Sequence, residues 1–328
     1  MTNEPPVPPF HDDRYRAFLE TVSHLRGSLH RYCTHLTGSP LDGEDVMQQA
    51  LLDAWRRLDT LDSAPALRAW LFRIAHSRAI DFLRRNRLRP AVEAAAADEE
   101  AADAVLPDGP GTARALERLV LRLPPKERAC ILLKDVFDYS LAEIAELTGS
   151  SANSVKAALF RARIRLATPV AADRTPAIDS DPRRTALLQL YVDRFNRQDW
   201  DGVRELTSAD ARLQVYDRFE GLLAQSPYFS RYEQWLPWTV TLERVAGEEV
   251  VAFSRPVEGE WALAGLVRVD VRDGKVVGIR DYRHCPWVAQ RAAAWLAGRR
   301  GDVSPDRRRL RSVPVRVPAT NFRIRVGA

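Results

Sequence analysis

Residues 141–166 read LAEIAELTGSSANSVKAALFRARIRL, and this stretch decides the first half of the fold. Ala145 stands where two helices would cross closely, and its small side chain lets the backbones approach. Four residues later, Gly149 falls where a tight inter-helix turn needs a positive backbone angle, which glycine adopts without strain. Val155 is spaced to pack back between the two helices, and Ser151 to cap the second one. This is the spacing of a DNA-reading helix-turn-helix, whose second helix enters the major groove. Ser150, Asn153, Ser154 and Lys156 then fall at the groove end, with Arg161 and Arg163 near phosphates. An ordinary helical hairpin with a glycine turn carries the same local signature, so a second signal is needed.

Residues 68–90, RAWLFRIAHSRAIDFLRRNRLRP, supply it. Arg68, Arg73, Arg78, Arg84, Arg85, Arg87 and Arg89 face the single acid Asp81, with Trp70, Phe72, His76 and Phe82 interleaved. Arginines beside aromatic rings suit a strand with unstacked bases, because phosphates are neutralised and bases find π-faces. Leu71, Ile74, Ala75 and Phe82 would face inward on this helix. The helix before it carries an apolar stripe of Val46, Ala50, Ala54, Trp55 and Leu58, with Asp42 as its expected N-cap.

Between the two signals, residues 91–112 hold Glu93, Asp98, Glu99, Glu100, Asp103 and Asp108, no basic residue, and a closing PDGPG. That composition reads as a flexible acidic linker. The expected organisation is a disordered leader over 1–12, a helical bundle over 13–90, this linker, the helix-turn-helix domain over 113–167, and a second linker over 168–184. An α+β domain over 185–298 and a basic tail over 299–328 follow.

Residues 42–90 and 116–166, the latter including LPPKER, together resemble regions two and four of group-four (extracytoplasmic-function) sigma factors. The resemblance covers about half the chain and implies residue roles. Glu44, Asp45, Gln48 and Gln49 would dock on core RNA polymerase. The loop from Asp59 to Leu67, Ser63 included, would hold a flipped base of a minus-ten element. Arg68, Arg73, His76, Ser77, Arg78 and Arg84 would line the single strand, and region four would read a minus-thirty-five duplex. Ser77 stands where family members commonly carry Asn, and its shorter hydroxyl reaches fewer base-edge atoms. A helix-turn-helix regulator with a ligand-binding or catalytic C-terminal domain is the alternative, and it leaves residues 42–55 unexplained.

The C-terminal third changes character. Helical patterns over 186–195 and 200–206 precede strand-like stretches, and VRVDV and KVVGIRDY are joined through Asp273-Gly274, a hairpin signal. A short helix over 288–296 follows. The pattern resembles the cone-shaped α+β domain of the SnoaL-like (nuclear-transport-factor-two-like) superfamily. Tyr191, Phe195, Trp200, Tyr216, Phe229, Trp235, Trp238, Trp261 and Tyr282 are candidate pocket walls or plain core. Relatives with this cone include enzymes that use an Asp-His pair, but Asp281 and His284 would point to opposite faces of a regular strand. Asp217 lies on an earlier one. YDRFEG occupies the place where sigma factors with this extension carry a glycine-rich motif.

The net charge of +5 over 328 residues does not by itself indicate nucleic acid; its clustering does. Cys33, Cys130 and Cys285 form no CxxC pair, and Cys33 with His30 and His35 lacks a fourth ligand for zinc. No apolar run approaches the roughly 20 residues that span a bilayer, and the proline-rich acidic start is no signal peptide. The expectation is a multidomain cytoplasmic protein without enzymatic activity, cofactor or metal. Its expected partners are core polymerase, promoter DNA and, within the chain, its own C-terminal domain.

Overall fold

Helix by helix, the computed structural model describes residues 13–58, 67–86, 122–167, 181–233 and 237–297. The chain divides into two compact units, Met1–Asp173 and Arg174–Ala328. The leader, the acidic linker and the basic tail expected from sequence lie outside the described residues, as does most of the second linker.

In the first unit, α1 (Asp13–Thr37), α2 (Pro40–Arg56) and α3 (Leu67–Asn86) pack pairwise into a bundle. Its core holds Phe18, Leu29, Leu36, Met47, Leu71 and Ala75, all essentially inaccessible. The start of α2 differs from expectation. Ser39, not Asp42, is the N-cap, and its hydroxyl accepts the Asp42 N–H at 3.3 Å. Pro40 at the first helical position explains the earlier start, since its fixed φ suits a helix and its missing N–H leaves no orphan donor. Asp42 lies inside the first turn, where its charge meets the positive helix end. One turn on, α1 and α2 cross backbone to backbone. A Cβ on Gly43 would lie 2.5 Å from Thr34 Oγ1 and 2.7 Å from Thr34 Cα.

The same unit continues with α4 (Pro125–Ile131), which runs into a π-helical turn over Leu132–Val136, then α5 (Leu141–Thr148) and α6 (Ala152–Ala167). The expectations for Gly149, Ser151 and Val155 around the α5–α6 turn are met. Ser140 and Glu143 form a reciprocal capping box at the start of α5. Gly149 closes α5 at φ 60°, and Val155 is fully buried. The Ser151 hydroxyl accepts the Ser154 N–H at 3.2 Å, capping α6.

The second unit is α+β: α7 (Pro182–Asn196), α8 (Trp200–Glu205), β1 (Thr207–Val215), β2 (Phe219–Leu222), α9 (Tyr228–Glu233), β3 (Thr239–Val245), β4 (Glu248–Val257), β5 (Glu260–Arg272), β6 (Lys275–Asp281) and α10 (Pro286–Ala297). The six strands form one sheet in the order β2-β1-β6-β5-β4-β3. Only β1 and β6 pair in parallel. Asp273 and Gly274 both adopt positive φ and bring Arg272 opposite Lys275, the two-residue hairpin expected from sequence. Most of the candidate pocket aromatics are core. The Phe195 ring meets Trp200, Tyr232 and Trp238 at centroid distances of 5.1, 4.8 and 5.3 Å, and Tyr216 stacks on Tyr282 at 4.6 Å. Trp261 is half-buried, and Trp235 lies outside the described residues.

Gly43→Ala is expected to destabilise the first unit by about 1–3 kcal/mol, because the added methyl meets backbone that cannot swing away. Urea denaturation followed by helicity measures it; an unchanged midpoint would mean the α1–α2 crossing is looser than described.

Candidate nucleic-acid interface

On α6, the residues that pack inward are Val155, Ala158, Leu159 and Ala162. The opposite face carries Asn153, Lys156, Phe160, Arg163 and Ile164, all exposed. Asn153 and Lys156 stand three residues apart near the N-terminal end, the end a recognition helix presents to base edges. Ser150 is turned to Thr148, with the two hydroxyls 2.7 Å apart, and Ser154 accepts from Lys126 Nζ at 2.8 Å. Arg161, expected near phosphates, is instead tied to the buried carboxylate of Glu127 at 2.9 Å, with Arg165 on the same group at 3.3 Å. This pair anchors α6 on α4. Arg163 reaches Asp135 at 3.2 Å, both exposed, and such a pair holds only weakly. Phe160 and Ile164, 68% and 51% exposed, are functional candidates that the basic-residue reading passed over. Apolar side chains at 160 and 164 read as core until the phase of α6 is known.

The α2 and α3 candidates divide more sharply. Glu44 is fully buried, 3.5 Å from Arg26 and 4.0 Å from His30, and its Oε1 accepts from Gln48 Nε2 at 2.7 Å. It therefore braces α1 against α2 and cannot meet a partner protein while they are packed. Asp45 and Gln48 are partly exposed and Gln49 is exposed, so these three remain reachable. On α3, Arg68, Arg73, Ser77 and Arg84 are exposed. Arg78 is committed to Asp53 of α2, a nearly buried carboxylate, so it is a structural tie rather than a ready phosphate contact. Arg73 pairs with Glu146 of α5. Ser63 lies outside the described residues.

The helix-turn-helix is held on the first bundle by aromatic rings. Phe137 meets Phe72 at 5.3 Å and Tyr32 at 5.7 Å, and Tyr139 meets Phe72 at 5.7 Å. Arg31 lies 4.9 Å over Phe137, and Arg68 lies 5.7 Å over Tyr139. Arg128, from the LPPKER motif, donates to the Leu36 carbonyl at 2.6 Å.

In the second unit the fully buried Asp281 accepts the Tyr228 and Tyr232 hydroxyls at 2.9 and 3.1 Å and pairs with Arg283 at 2.7 Å. Its partners are thus two tyrosines and an arginine. His284 belongs to the turn after β6 and lines a hollow with Arg218 and Arg231. Burial first, then Arg283, hold the His284 pKa below its ordinary 6.5. Asp217 sits exposed at the β1–β2 turn.

His76 turns inward from α3, its Nδ1 2.9 Å from the Tyr32 hydroxyl, and burial pushes its pKa down from 6.5 to about 4. It is a neutral hydrogen-bonding partner at pH 7, not a cationic contact to phosphate. Its folded pKa is depressed, so as pH falls the unfolded chain takes the proton first. Its stabilising contribution is complete above about pH 6.5 and is lost progressively down to about 4. Urea midpoints between pH 7 and 4.5 should fall more steeply for the native chain than for His76→Gln. Parallel curves would mean that His76 is not the titrating group.

Comparison with known proteins completes the assignment. Residues 21–89 match the family described as Sigma-70 region 2, and residues 113–166 match Sigma-70, region 4. The ECF RNA polymerase sigma factor SigG of Mycobacterium tuberculosis is 34% identical over 61% of this chain, which spans 61% of that relative's length. SigM of the same organism, also an ECF RNA polymerase sigma factor, is 32% identical over 47% of this chain and 77% of its own. An NTF-2 like protein of unknown function from Burkholderia xenovorans LB400 superposes with a TM-score of 0.25 at 16% identity, over 30% of this chain and 81% of its own. No helix among the described residues is long and apolar enough to cross a membrane. With both sigma regions in order and relatives matched over most of their length, the chain belongs to the ECF RNA polymerase sigma factor family.

Proposed function

We propose that this chain is a promoter-specificity subunit with no active site of its own. It binds core RNA polymerase through α2, melts and holds promoter DNA through α3, and reads an upstream duplex element through α6. The observation that carries the reading is the pairing of two exposed faces on one short unit. Arg68, Arg73, Ser77 and Arg84 lie on α3, and Asn153 and Lys156 lie on α6. Asp45, Gln48 and Gln49 form the polymerase-facing edge of α2. Phe160 and Ile164 add an apolar patch suited to a protein partner, because DNA phosphates would not reward its burial.

The C-terminal unit acts on initiation from within the chain. The linker near residues 168–184 is short, so even a weak effect of that unit is exerted at high effective concentration. A free-standing helix-turn-helix regulator would give α2 no task.

A native gel with core polymerase and no DNA separates these. Asp45→Lys combined with Gln48→Lys should abolish complex formation at unchanged helicity, whereas Glu44→Gln should lower stability instead. Retained binding by the double variant would remove the docking assignment. On promoter DNA, Lys156→Ala should relax sequence preference by about 1–3 kcal/mol, while Arg163→Ala should weaken all sequences alike and lower the salt slope by about one. The same sequence-independent loss in both would show that α6 is not docked this way. Transcription by a chain ending at Leu166 tests the C-terminal unit; activity equal to that of the full chain would mean that it has no part in initiation.

A further inference from the structure

One hollow in the second unit is built from cations. It has a volume of about 130 Å³, and its wall contains Arg218, Arg231, Arg283 and His284, with Phe219, Ser226, Pro227 and Tyr228, and no carboxylate. Three separate segments supply these side chains: the β1–β2 turn with the start of β2, α9 with the loop that leads into it, and the turn after β6. The candidate pocket aromatics of the sheet interior do not line it, so it is a different place from the filled core.

Its floor is rigid. Asp281 accepts the Arg283 backbone N–H at 2.9 Å and the Arg283 guanidinium at 2.7 Å. The guanidinium lies 4.4 Å over the Tyr232 ring and 5.3 Å over that of Tyr228. Gly265 presses on the same residue: a Cβ there would stand 2.8 Å from Arg283 Cα. The rim is the opposite. Arg218 and Arg231 are exposed, and among the described residues neither has an acidic partner. Asp217 in the turn and Asp281 beneath the floor are the nearby acids, and Asp281 is already committed to Arg283 and two tyrosines. With Arg283 compensated by Asp281, Arg218 and Arg231 bring two further guanidiniums to the same hollow, and a negative group between them would relieve their mutual repulsion.

We propose that this hollow binds the oxyanion headgroup, carboxylate or phosphate, of a small molecule. Arg218 and Arg231 close on the anion from the rim, Arg283 presents a fixed positive edge at the floor, and Phe219, 37% exposed, covers the ligand's apolar body. The forked guanidinium suits such headgroups because two N–H groups meet two oxygens at once. The volume limits the ligand, since an engineered cavity of roughly 150 Å³ admits benzene and little more. His284, neutral near pH 7, can donate one ring N–H without adding charge.

Titration calorimetry on the full chain, without polymerase or DNA, tests this with benzoate, phenyl phosphate and inorganic phosphate at ionic strength held constant with chloride. Saturable binding of one equivalent is expected for at least one probe, on the order of 1 mM or tighter. Arg218→Ala and Arg231→Ala should each weaken it by about tenfold or more, with melting temperature unchanged because both side chains are exposed. Phe219→Ala weakening phenyl phosphate but not inorganic phosphate supports an organic ligand. Equal affinity for the two phosphates supports the free anion, and both results uphold the site. No saturable heat with any probe up to about ten times that concentration, or binding unaltered in both arginine variants, overturns it.

Discussion

Four rings set the geometry of the first unit. Tyr32 of α1, Phe72 of α3, and Phe137 and Tyr139 at the end of the π-helical turn meet edge to face or tilted, at 5.3 to 5.7 Å. Such pairs contribute about 0.5–1.5 kcal/mol each beyond the area they bury. The π turn is what delivers two of them. It runs over Leu132–Val136 directly into Phe137 and Tyr139, which rest on the bundle. The LPPKER motif then works in two directions. Arg128 fastens the domain to the end of α1 through the Leu36 carbonyl, while Glu127 fastens α6 through Arg161 and Arg165.

A comparable constraint organises the second unit. Asp281 ends β6 fully buried, and a buried carboxylate is tolerable only when paired and hydrogen-bonded. Tyr228 and Tyr232 of α9 and Arg283 supply those partners, so one side chain joins the sheet, the short helix and the turn that leads to α10. The pairing also explains why the basic hollow can exist beside a hydrophobic core. The tie to Asp281 supplies part of what desolvating the Arg283 guanidinium would otherwise cost, and exposure does the same for Arg218 and Arg231.

What could be read from sequence was what is local. The α5–α6 turn is specified by Gly149 and Ser151, each acting within four residues, and both are found in their expected places, while the Ser140–Glu143 capping box at the start of α5 went unread although it is equally local. The Asp273-Gly274 hairpin is legible for the same reason. The features that were not legible depend on distant partners. Glu44 reads as a surface acid because nothing near it in sequence announces Arg26, and Arg78 reads as a DNA contact because Asp53 lies 25 residues away. Asp281 offered His284 as its neighbour in sequence, but beside the adjacent Arg283 its partners are Tyr228 and Tyr232 of an α9 that no periodic pattern revealed. The parallel pairing of β1 with β6 joins residues as far apart as Thr207 and Val276 and has no local signature at all. Ser39 is the exception: Pro40 immediately after it is a local start signal, and Asp42 merely drew attention away from it.

The ring contact also bears on how the proposed subunit would work. Elements named minus ten and minus thirty-five lie about 25 base pairs apart, roughly 85 Å of duplex at 3.4 Å per pair. Faces on α3 and α6 cannot meet both while Phe137 and Tyr139 rest on Phe72, and Arg73 is occupied by Glu146 in that arrangement. If α3 and α6 make the proposed contacts, promoter engagement requires the two helical groups to part. What opposes parting includes three ring pairs at about 0.5–1.5 kcal/mol each beyond the area they bury, two cation–π contacts at about 0.5–1 each, one surface ion pair worth at most about 1, and the Arg128 bond to the Leu36 carbonyl at about 1.5–3. In the proposed role the closed form would lower apparent affinity by the fraction of open molecules. It would also keep Arg73 and the aromatic faces of the first bundle away from non-specific DNA until polymerase draws the helices apart.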